Sequence, residues 1–491
     1  MTVTSWTTAM RYRPYAQWPA QQLIDLRAKI AQSHWRFGYH IQPTTGLLND
    51  PNGFTYFNGQ WQLFYQSFPF GPVHGLKSWV HLVSDDLLHW QNLGRALTPD
   101  SPLDQQGVYS GSALPVEDRL FLMYTGNVRD QQWQRHPKQN GAWLTTANQV
   151  TKLVAPLISD PPTGVTEHFR DPQLIRHGEW YYAILGAQKQ DQTGHILVYR
   201  ARDVTGPWHI AGELTFGDQA LGYMVECPNL VFIDDRPVLT FCPQGISPDV
   251  LASDNRYPNA YVVGTAFDWE HLRIVNPSPL RLLDAGFDVY ATQAFNAPDG
   301  QVLAVSWIGL PDTTYPSDQE GWANGLSMVK TLRLCHGELR QTPVTSLETL
   351  RTRRLALTTE SASIPAQSEL QFTIPADQQG TLTIVMNQVT GAGLTLTFDT
   401  VHGKLVVDRS AAGAGVAVDY GTSRTATLPV GQAVTGQLLL DNSVFELYLN
   451  DGATVLTGRL FPPAGPWQLT TTGFTVALNL QGWQLASINQ D

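Results

Sequence analysis

The sequence predicts an all-β protein in which a five-bladed β-propeller precedes a β-sandwich, with a short helix near the N-terminus. Short β-rich runs alternate with turn signals over some 300 residues. One apolar pattern recurs five times there, and alternating strands fill the chain after about residue 360. These observations divide the chain into a helical extension (1–34), a propeller (35–344), a linker helix (345–357) and a sandwich (358–491).

The N-terminal extension contains the pattern of a helix over residues 17–33. Pro19 stands near the start, where proline is tolerated. The apolar residues that partly follow helical spacing are Leu23, Ile24, Leu26, Ile30 and Ala31.

The recurring pattern is an apolar run that ends in a small or polar cluster. Its copies are QLFYQS near residue 62, LFLMYTG near 120, WYYAILGA near 180, VLTFCPQG near 238 and VLAVSWIG near 302. A period of about 60 residues suits one four-stranded blade, so five copies predict five blades. Asn58-Gly59, before the first copy, is a strong hairpin signal.

The C-terminal part is typical of a β-sandwich joined to the propeller by a short helix. The segment TSLETLRTRRL (345–355) predicts that connecting helix. The predicted strands are ELQFTI, GTLTIVM, GLTLTF, KLVVD, GQLLLD, VFELYLNDG and FTVALNL. This part is rich in Thr and Val and poor in clustered acids and histidines, so we expect no catalysis there.

Composition narrows the class of partner. The chain has 491 residues, 42% hydrophobic and 15% charged, which excludes a largely disordered protein. A net charge of −11 argues against nucleic acid and anionic membranes as main partners. No apolar run is long enough for a transmembrane helix. We therefore expect a small-molecule substrate, and a homodimer remains open.

Compartment and cofactors are also constrained. The N-terminus MTVTSWTTAMRYRPY lacks the pattern of a secretory signal, which predicts a cytoplasmic protein. The three cysteines, Cys227, Cys242 and Cys335, have no metal-type spacing and are expected to be free thiols. The 13 histidines show no HExxH pattern. We expect no metal and no other cofactor.

Three acids stand in strand-rich apolar sequence, where a carboxylate must be paired or have a raised pKa. Asp50 lies in GLLNDPNGF, Asp171 in HFRDPQL and Glu226 in MVECPNL, each near the start of a repeat. Equivalent points on different blades converge on the central channel. The three carboxyl groups are therefore expected to meet in one pocket.

Such a pocket suits glycoside hydrolysis, in which one carboxylic acid protonates the leaving oxygen and a carboxylate attacks the anomeric carbon or activates water. Burial and a like charge would raise the pKa of the acid, whereas Arg170 would keep the neighbouring Asp171 ionised. Taken singly, Asp50-Pro51-Asn52-Gly53 also fits a turn, and Arg170-Asp171-Pro172 a structural ion pair. Their order and spacing favour a catalytic site.

At these residues the chain resembles the family 32 glycoside hydrolases. The motifs that carry the resemblance are Asn49-Asp50-Pro51-Asn52-Gly53, Arg170-Asp171-Pro172 and Glu226-Cys227-Pro228. Further matches are Gln66 in FYQ, Trp79 in SWVH, Ser110-Gly111-Ser112-Ala113, Asp288 and Tyr290 in GFDVYATQ, Trp322 in EGWANGLSM, and DNSVFELYLNDG over 441–452. The likeness covers about residues 35–480.

The resemblance implies a five-bladed propeller followed by a sandwich, and hydrolysis of β-fructofuranosides with retention of configuration. It implies that Asp50 is the nucleophile and Glu226 the general acid and then base. Asp171 would bind fructose hydroxyls and stabilise the transition state. The residues implied to line the fructose subsite are Asn49, Gln66, Trp79, Ser112, Arg170, Tyr290 and Trp322.

Two departures from the family pattern concern substrate detail rather than the acids. Val80-His81 replaces the commoner Gly-His, and the stretch 326–330 replaces the commoner Pro-Arg ending. The segment GPVHGLKSW looks most like that of the sucrose-6-phosphate hydrolases within the family, which favours sucrose-6-phosphate as substrate. His74 and Lys77 would offer positive charge to a phosphate near the pocket mouth. A solvated loop is the alternative. Sucrose, fructo-oligosaccharides and a non-catalytic carbohydrate-binding protein also stay open.

Overall fold

The computed structural model describes residues 5–358 and 360–489. The first four residues of the predicted extension, Thr359 and the last two residues of the predicted sandwich lie outside the described residues. Two α-helices come first, α1 (Thr8–Arg11) and α2 (Ala20–Ile30). The second lies within the predicted 17–33 and is preceded by Pro19. Short 3₁₀ helices cover Tyr15–Gln17, Pro316–Glu320, Thr345–Leu350 and Val418–Tyr420.

Strands dominate the chain from residue 46 to residue 343. In chain order they are β1 (Gly46–Phe57), β2 (Gln60–Phe68), β3 (Ser78–Ser84), β4 (Gln91–Leu97), β5 (Val108–Val116), β6 (Arg119–Gly126), β7 (Lys138–Leu144), β8 (Val150–Lys152), β9 (Val165–His177), β10 (Trp180–Lys189), β11 (Gly194–Ala201), β12 (His209–Glu213), β13 (Met224–Ile233), β14 (Arg236–Gln244), β15 (Ala260–Val263), β16 (Ala266–Asp268), β17 (Arg273–Val275), β18 (Arg281–Leu282), β19 (Val289–Asn296), β20 (Val302–Ile308), β21 (Trp322–Ala323), β22 (Gly325–Leu326), β23 (Lys330–Cys335) and β24 (Glu338–Pro343).

These strands form consecutive antiparallel sheets arranged as a propeller. In the described part of the chain the sheets have the orders β21-β1-β2-β3-β4, β5-β6-β7-β8, β9-β10-β11-β12, β13-β14-β15-β18 and β19-β20-β23-β24, with β22 beside β20 and a separate ribbon of β16 and β17. Their first strands contact one another in a ring, from β1 through β5, β9, β13 and β19 back to β1. Each of the five recurring apolar runs lies on the second strand of a sheet, namely β2, β6, β10, β14 and β20.

The predicted hairpin is present. Asn58 and Gly59 both have positive φ, 52° and 80°, as a tight two-residue hairpin turn requires. The first sheet also receives a strand from the far end of the propeller. Strand β21 pairs in parallel with β1, with Gly46 opposite Trp322 and Leu47 opposite Ala323.

The C-terminal part is a sandwich of two sheets. Its strands are β25 (Arg351–Arg354), β26 (Ser361–Ile364), β27 (Gln367–Ile374), β28 (Gln379–Asn387), β29 (Ala392–Asp399), β30 (Lys404–Asp408), β31 (Ser423–Thr427), β32 (Val434–Asp441), β33 (Val444–Leu449), β34 (Thr454–Arg459), β35 (Trp467–Thr472) and β36 (Asn479–Leu485). The sheet orders are β25-β36-β27-β32-β33-β34 and β26-β35-β28-β29-β30-β31. Alternate side chains of both sheets form one core, which includes Leu370, Leu382, Leu438 and Phe445.

Two predicted elements of this part differ from the structure. The connecting helix is only the 3₁₀ turn Thr345–Leu350; the chain then enters β25, held extended by two 2.8 Å bonds from the Arg351 guanidinium to Glu369. The strand predicted over FTVALNL begins only at Asn479. Thr475 donates its backbone N–H and its hydroxyl to Gln378, each at 2.9 Å, and this holds a bend where the strand was expected.

A buried triad attaches the start of the propeller to the sandwich. The imidazole of His40 lies 2.9 Å from Asp441 and 3.0 Å from Glu446, and all three side chains are inaccessible to solvent. Asp441 also accepts backbone N–H bonds from residues 38–40, and Glu446 accepts one from Met328 at 2.7 Å. Burial acts to lower the pKa of His40, but the two carboxylates outweigh it and raise that pKa to about 9.

The N-terminal extension, residues 5–34 of the described chain, covers one end of the propeller. Trp18 stacks on Phe70 with ring centroids 4.6 Å apart, and the Tyr15 hydroxyl donates to the Leu76 carbonyl at 2.6 Å. None of the helices among the described residues has the length and apolar character needed to cross a bilayer.

Candidate active site

The predicted acids come together in one pocket at the centre of the propeller. Asp50, Asp171 and Glu226 stand on β1, β9 and β13, the first strands of three sheets. They line a cavity of 1380 Å³ whose rim includes the N-terminal extension. The other predicted residues that line it are Asn49, Gln66, His74, Lys77, Arg170 and Tyr290.

An interruption of the strand ladder recurs where each first strand meets this pocket. The register shifts between residues 48 and 51 on β1, 108 and 111 on β5, 170 and 173 on β9, 226 and 229 on β13, and 290 and 293 on β19. Such bulges re-aim side chains and free backbone groups from pairing. Asp171, with φ of 62°, and Cys227, with φ of 49°, lie within two of them. The bulges therefore help to direct the carboxylate side chains of the first strands into the pocket.

Glu226 is held as a carboxylate by three donors. Arg170 donates to its Oε1 from Nε at 2.8 Å and from Nη2 at 2.6 Å, and Tyr290 donates to its Oε2 at 2.6 Å. Gln244 also donates to Oε2, at 2.5 Å. Burial raises the pKa of Glu226, but Arg170 and Tyr290 outweigh it, so that the pKa lies below its usual value. The expectation of a raised pKa for this acid is therefore wrong.

The pKa of Asp171 is shifted in the opposite direction to that of Glu226. Burial, opposed by the charge of Arg170 and reinforced by Glu226 and Asp50, raises its pKa to about 7. The expectation that Arg170 keeps Asp171 ionised is wrong, because the guanidinium makes its hydrogen bonds to Glu226 instead. Asp171 accepts one backbone bond, from Cys227 N at 3.1 Å. Asp171 thus retains a proton closer to neutral pH than Glu226 does.

Asp50 accepts hydrogen bonds on both carboxylate oxygens. Asn49 Nδ2 lies 3.0 Å from Oδ1, and Ser110 Oγ lies 2.5 Å from Oδ2. Gln66 Nε2 lies 3.5 Å from Oδ2. Donors to a carboxylate stabilise its charged form, which is the form that attacks carbon. The arrangement therefore suits a nucleophile with a fixed orientation.

Lys77 lies in the base of the pocket and not at its mouth, which corrects the expectation of an exposed phosphate contact. Its side chain is 2% exposed, and its ammonium donates to the amide oxygens of Asn49 and Gln66. Burial, only partly opposed by Asp50, lowers the pKa of Lys77 to about 7. Because lysine only donates, it fixes both amides with their NH₂ groups toward Asp50.

His74 does not offer the expected positive charge either. Its Nδ1 lies 3.0 Å from the Lys77 ammonium, and its ring meets that of Trp307 edge to face at 6.0 Å. Burial, then the charges of Lys77 and Arg11, hold the pKa of His74 well below its usual value. A neutral imidazole in this position supports Lys77 rather than a phosphate.

Three residues expected in the fructose subsite lie outside the cavity. Trp79, on the third strand of its sheet, packs against Phe64 and Tyr124 and donates to the Tyr109 carbonyl at 3.0 Å. Ser112 joins two sheets, since its hydroxyl donates to the Pro172 carbonyl at 2.9 Å. These interactions occupy both polar groups.

Trp322 is the third of these residues and is fully buried. Its ring meets that of Phe37 edge to face at 5.5 Å and lies in a cluster with Ile30 and Val444. The neighbouring Ala323 and Asn324 line the pocket instead. The ring therefore belongs to the packing beneath α2.

Sequence reasoning missed several residues that line the pocket. Ser110, not Ser112, reaches it, and Gln244, Trp307 and Arg135 also line it. A comparison of the repeats would have found Gln244. Gln66 and Gln244 are the next-to-last residues of the first and fourth recurring runs, and each amide donates to the acid of the adjacent first strand.

Comparison with known proteins identifies relatives over the whole chain. The N-terminal domain model of glycosyl hydrolases family 32 matches residues 40–343, and the C-terminal model of that family matches residues 337–484. A sucrose-6-phosphate hydrolase of Pediococcus pentosaceus is 49% identical over 98% of this chain and 96% of its own length. One of Streptococcus mutans is 46% identical over 92% of this chain and 94% of its own.

Solved structures agree with this result. The sucrose-6-phosphate hydrolase of Lactobacillus gasseri has a TM-score of 0.95 and 45% identity, over 99% of this chain and 100% of its own. A Bombyx mori β-fructofuranosidase variant in complex with sucrose has a TM-score of 0.85 and 28% identity, over 96% of this chain and 98% of its own.

Proposed function

The chain belongs to glycosyl hydrolase family 32, and from that premise we propose that this β-fructofuranosidase hydrolyses sucrose-6-phosphate, and sucrose as a second substrate. The observation that carries the proposal is the pocket in which Asp50 and Glu226 each stand among dedicated hydrogen-bond donors. The similarity to sucrose-6-phosphate hydrolases over nearly the full chain supports the choice of substrate. Nothing described favours fructo-oligosaccharides over these disaccharides.

The proposed reaction retains configuration at the fructose anomeric carbon. Asp50 attacks that carbon and forms a fructosyl-enzyme ester, while Glu226 gives its proton to the departing glycosidic oxygen. Glu226 then takes a proton from water, which attacks the ester and releases fructose and Asp50. Each step forms one bond to the anomeric carbon and breaks one, and the proton returns to Glu226.

The hydrogen bonds of Glu226 place a condition on this cycle. Glu226 must carry a proton to act as an acid, yet Arg170 and Tyr290 favour its carboxylate. Asp171, with a pKa of about 7, is the nearby group that retains one. We infer that substrate binding shifts the proton of this coupled group toward Glu226, with Asp171 left as the carboxylate that binds fructose hydroxyls. Asn49, Gln66, Arg170 and Tyr290 complete the fructose subsite.

We also propose the number of propeller blades, the domain boundaries, the cellular location and the oligomeric state. We infer five propeller blades, one for each sheet that carries a recurring run, with the predicted domain boundaries apart from the shortened connecting helix. The residues at the ring centre then belong to one exo-acting site. A cytoplasmic location and a homodimer are further proposals. Fractionation of the cells and sedimentation of the pure protein test them.

The decisive test is fructose release by the wild type and by Asp50→Asn. The wild type is expected to release fructose from sucrose-6-phosphate and from sucrose. The amide cannot attack carbon, so the variant should lose several orders of magnitude in kcat. Asp118→Asn, an acid with an 88% exposed side chain, is the matched control and should be fully active. Retention of a tenth of the activity by Asp50→Asn would reject the assignment, and absence of fructose from the wild-type reaction would favour a binding protein.

A further inference from the structure

Arg135 is a pocket residue whose charge has no carboxylate partner. It lines the cavity from the loop between β6 and β7, and its buried Nε makes no hydrogen bond. Its guanidinium lies 5.9 Å from the centroid of the Tyr109 ring. Among the described residues no acid lies within ion-pair distance of it, although the chain has 42 acids. A mostly buried guanidinium without a partner is costly, and such groups are found where an anion binds.

The surroundings of Arg135 add positive charge rather than cancel it. Burial, and after it the charges of Arg170 and Arg129, lower the pKa of Arg135. Arg11, at the end of α1, lines the same cavity, and the Nε atoms of Arg11 and Arg129 are likewise buried without a partner. Like charges in one place repel unless an anion joins them. The arrangement therefore points to an anionic ligand.

Arg135 also lies within electrostatic reach of Glu226, the proposed general acid. Its charge acts on Glu226, whose pKa it lowers, and on Arg170, which is bonded to Glu226. In the proposed reaction Glu226 protonates the oxygen of the departing sugar, so a cation near Glu226 is also near that sugar. In sucrose-6-phosphate the departing sugar carries the phosphate.

We propose that Arg135, assisted by Arg11 of the N-terminal extension, binds the phosphate of the leaving sugar and thereby selects phosphorylated over neutral fructosides. This inference rests on the proposed function. A guanidinium presents two parallel donors to a phosphate, which Lys77, buried beside Asn49 and Gln66, does not do. The extension then forms part of the substrate site as well as covering the propeller.

The test is the ratio of kcat/KM for sucrose-6-phosphate to kcat/KM for sucrose. In Arg135→Met this ratio is expected to fall at least about tenfold, because a charge-assisted contact is lost for one substrate only. Arg135→Lys should recover part of the ratio, and Arg11→Met should lower it less. Arg176→Gln, an exposed arginine on β9, removes the same unit of charge and should leave the ratio unchanged.

Inhibition distinguishes a sugar phosphate from free phosphate. Glucose 6-phosphate should inhibit the wild type more strongly than glucose, and Arg135→Met should abolish that difference. Inorganic phosphate is the second probe. Inhibition by inorganic phosphate as strong as that by glucose 6-phosphate would mean a free-anion site and would overturn the role in substrate selection.

The outcomes separate the two proposals. If the wild type cleaves neither sugar, the proposed function fails. If it cleaves both sugars with equal kcat/KM, or if Arg135→Met lowers both values by the same factor, the hydrolase stands and the phosphate site is rejected. An unchanged ratio in Arg135→Met rejects it as well.

Discussion

Replacement of His40 by glutamine is expected to remove a pH-dependent part of the stability. The imidazole lies between Asp441 and Glu446, and its pKa is raised from 6.5 to about 9. Because the raised pKa means that the folded state binds the proton more tightly, the contribution is fully present below pH 6.5. It is lost as the pH rises from 6.5 through 9. The displacement corresponds to about 3 kcal/mol.

The assay is denaturant unfolding of wild type and His40→Gln at pH 6 and at pH 10, followed by tryptophan fluorescence. Other titrating groups are common to both proteins, so the difference between the two free energies of unfolding isolates His40. At pH 6 the variant also leaves two buried carboxylates without their cation. We expect the difference to shrink by about 3 kcal/mol between pH 6 and pH 10. Parallel pH dependences would refute the charged triad, and a difference that grows with pH would reverse its sign.

Three further changes test the active site and its surroundings. Glu226→Gln should abolish hydrolysis of sucrose but slow the first step far less for a fructoside with a good leaving group. Stopped-flow measurement of the release of that group tests this, and equal losses on both substrates would contradict the role of Glu226 as general acid. Lys77→Met should lower kcat/KM for sucrose and for sucrose-6-phosphate by the same factor, since the Asn49 and Gln66 amides lose their orientation; a loss confined to sucrose-6-phosphate would contradict this. Trp322→Phe should lower the free energy of unfolding by roughly 1–3 kcal/mol while KM for sucrose stays within about twofold, because the ring packs beneath α2; a large rise in KM would contradict this.

The sequence was informative where function depends on the order of motifs. Asp50, Asp171 and Glu226 could be assigned to one pocket because each precedes a recurring apolar run, and the runs are the second strands of successive sheets. The pattern of alternation within a strand could not reveal the bulges, which depend on pairing between strands. The resemblance implied Ser112, whereas the bulge on β5 lies at Ser110, and Ser110 is the serine that reaches the cavity.

Electrostatics were predicted less well, for a related reason. Arg170 was expected to pair with Asp171 because the two are adjacent in sequence. The bulge on β9 instead directs the Arg170 side chain to Glu226. Lys77 was expected in solvent because lysines usually are, and a buried lysine is visible only once its partners are placed around it. Adjacency in sequence was a poor guide to the sign of each pKa shift.

The closure of the propeller through β21 has a consequence for the order of events during synthesis. Asn324 donates to the Leu48 carbonyl at 3.1 Å, and the two residues are 276 positions apart in the chain. His40 bonds to Asp441, which is synthesised 401 residues later. The strand that bears Asp50 therefore leaves the ribosome early but gains its flanking partners late. Contacts of such long range slow folding and expose unpaired edges meanwhile. A nascent chain released before the sandwich is made could form the Asn324 contact but not the bond between His40 and Asp441, so activity should appear only with the completed polypeptide.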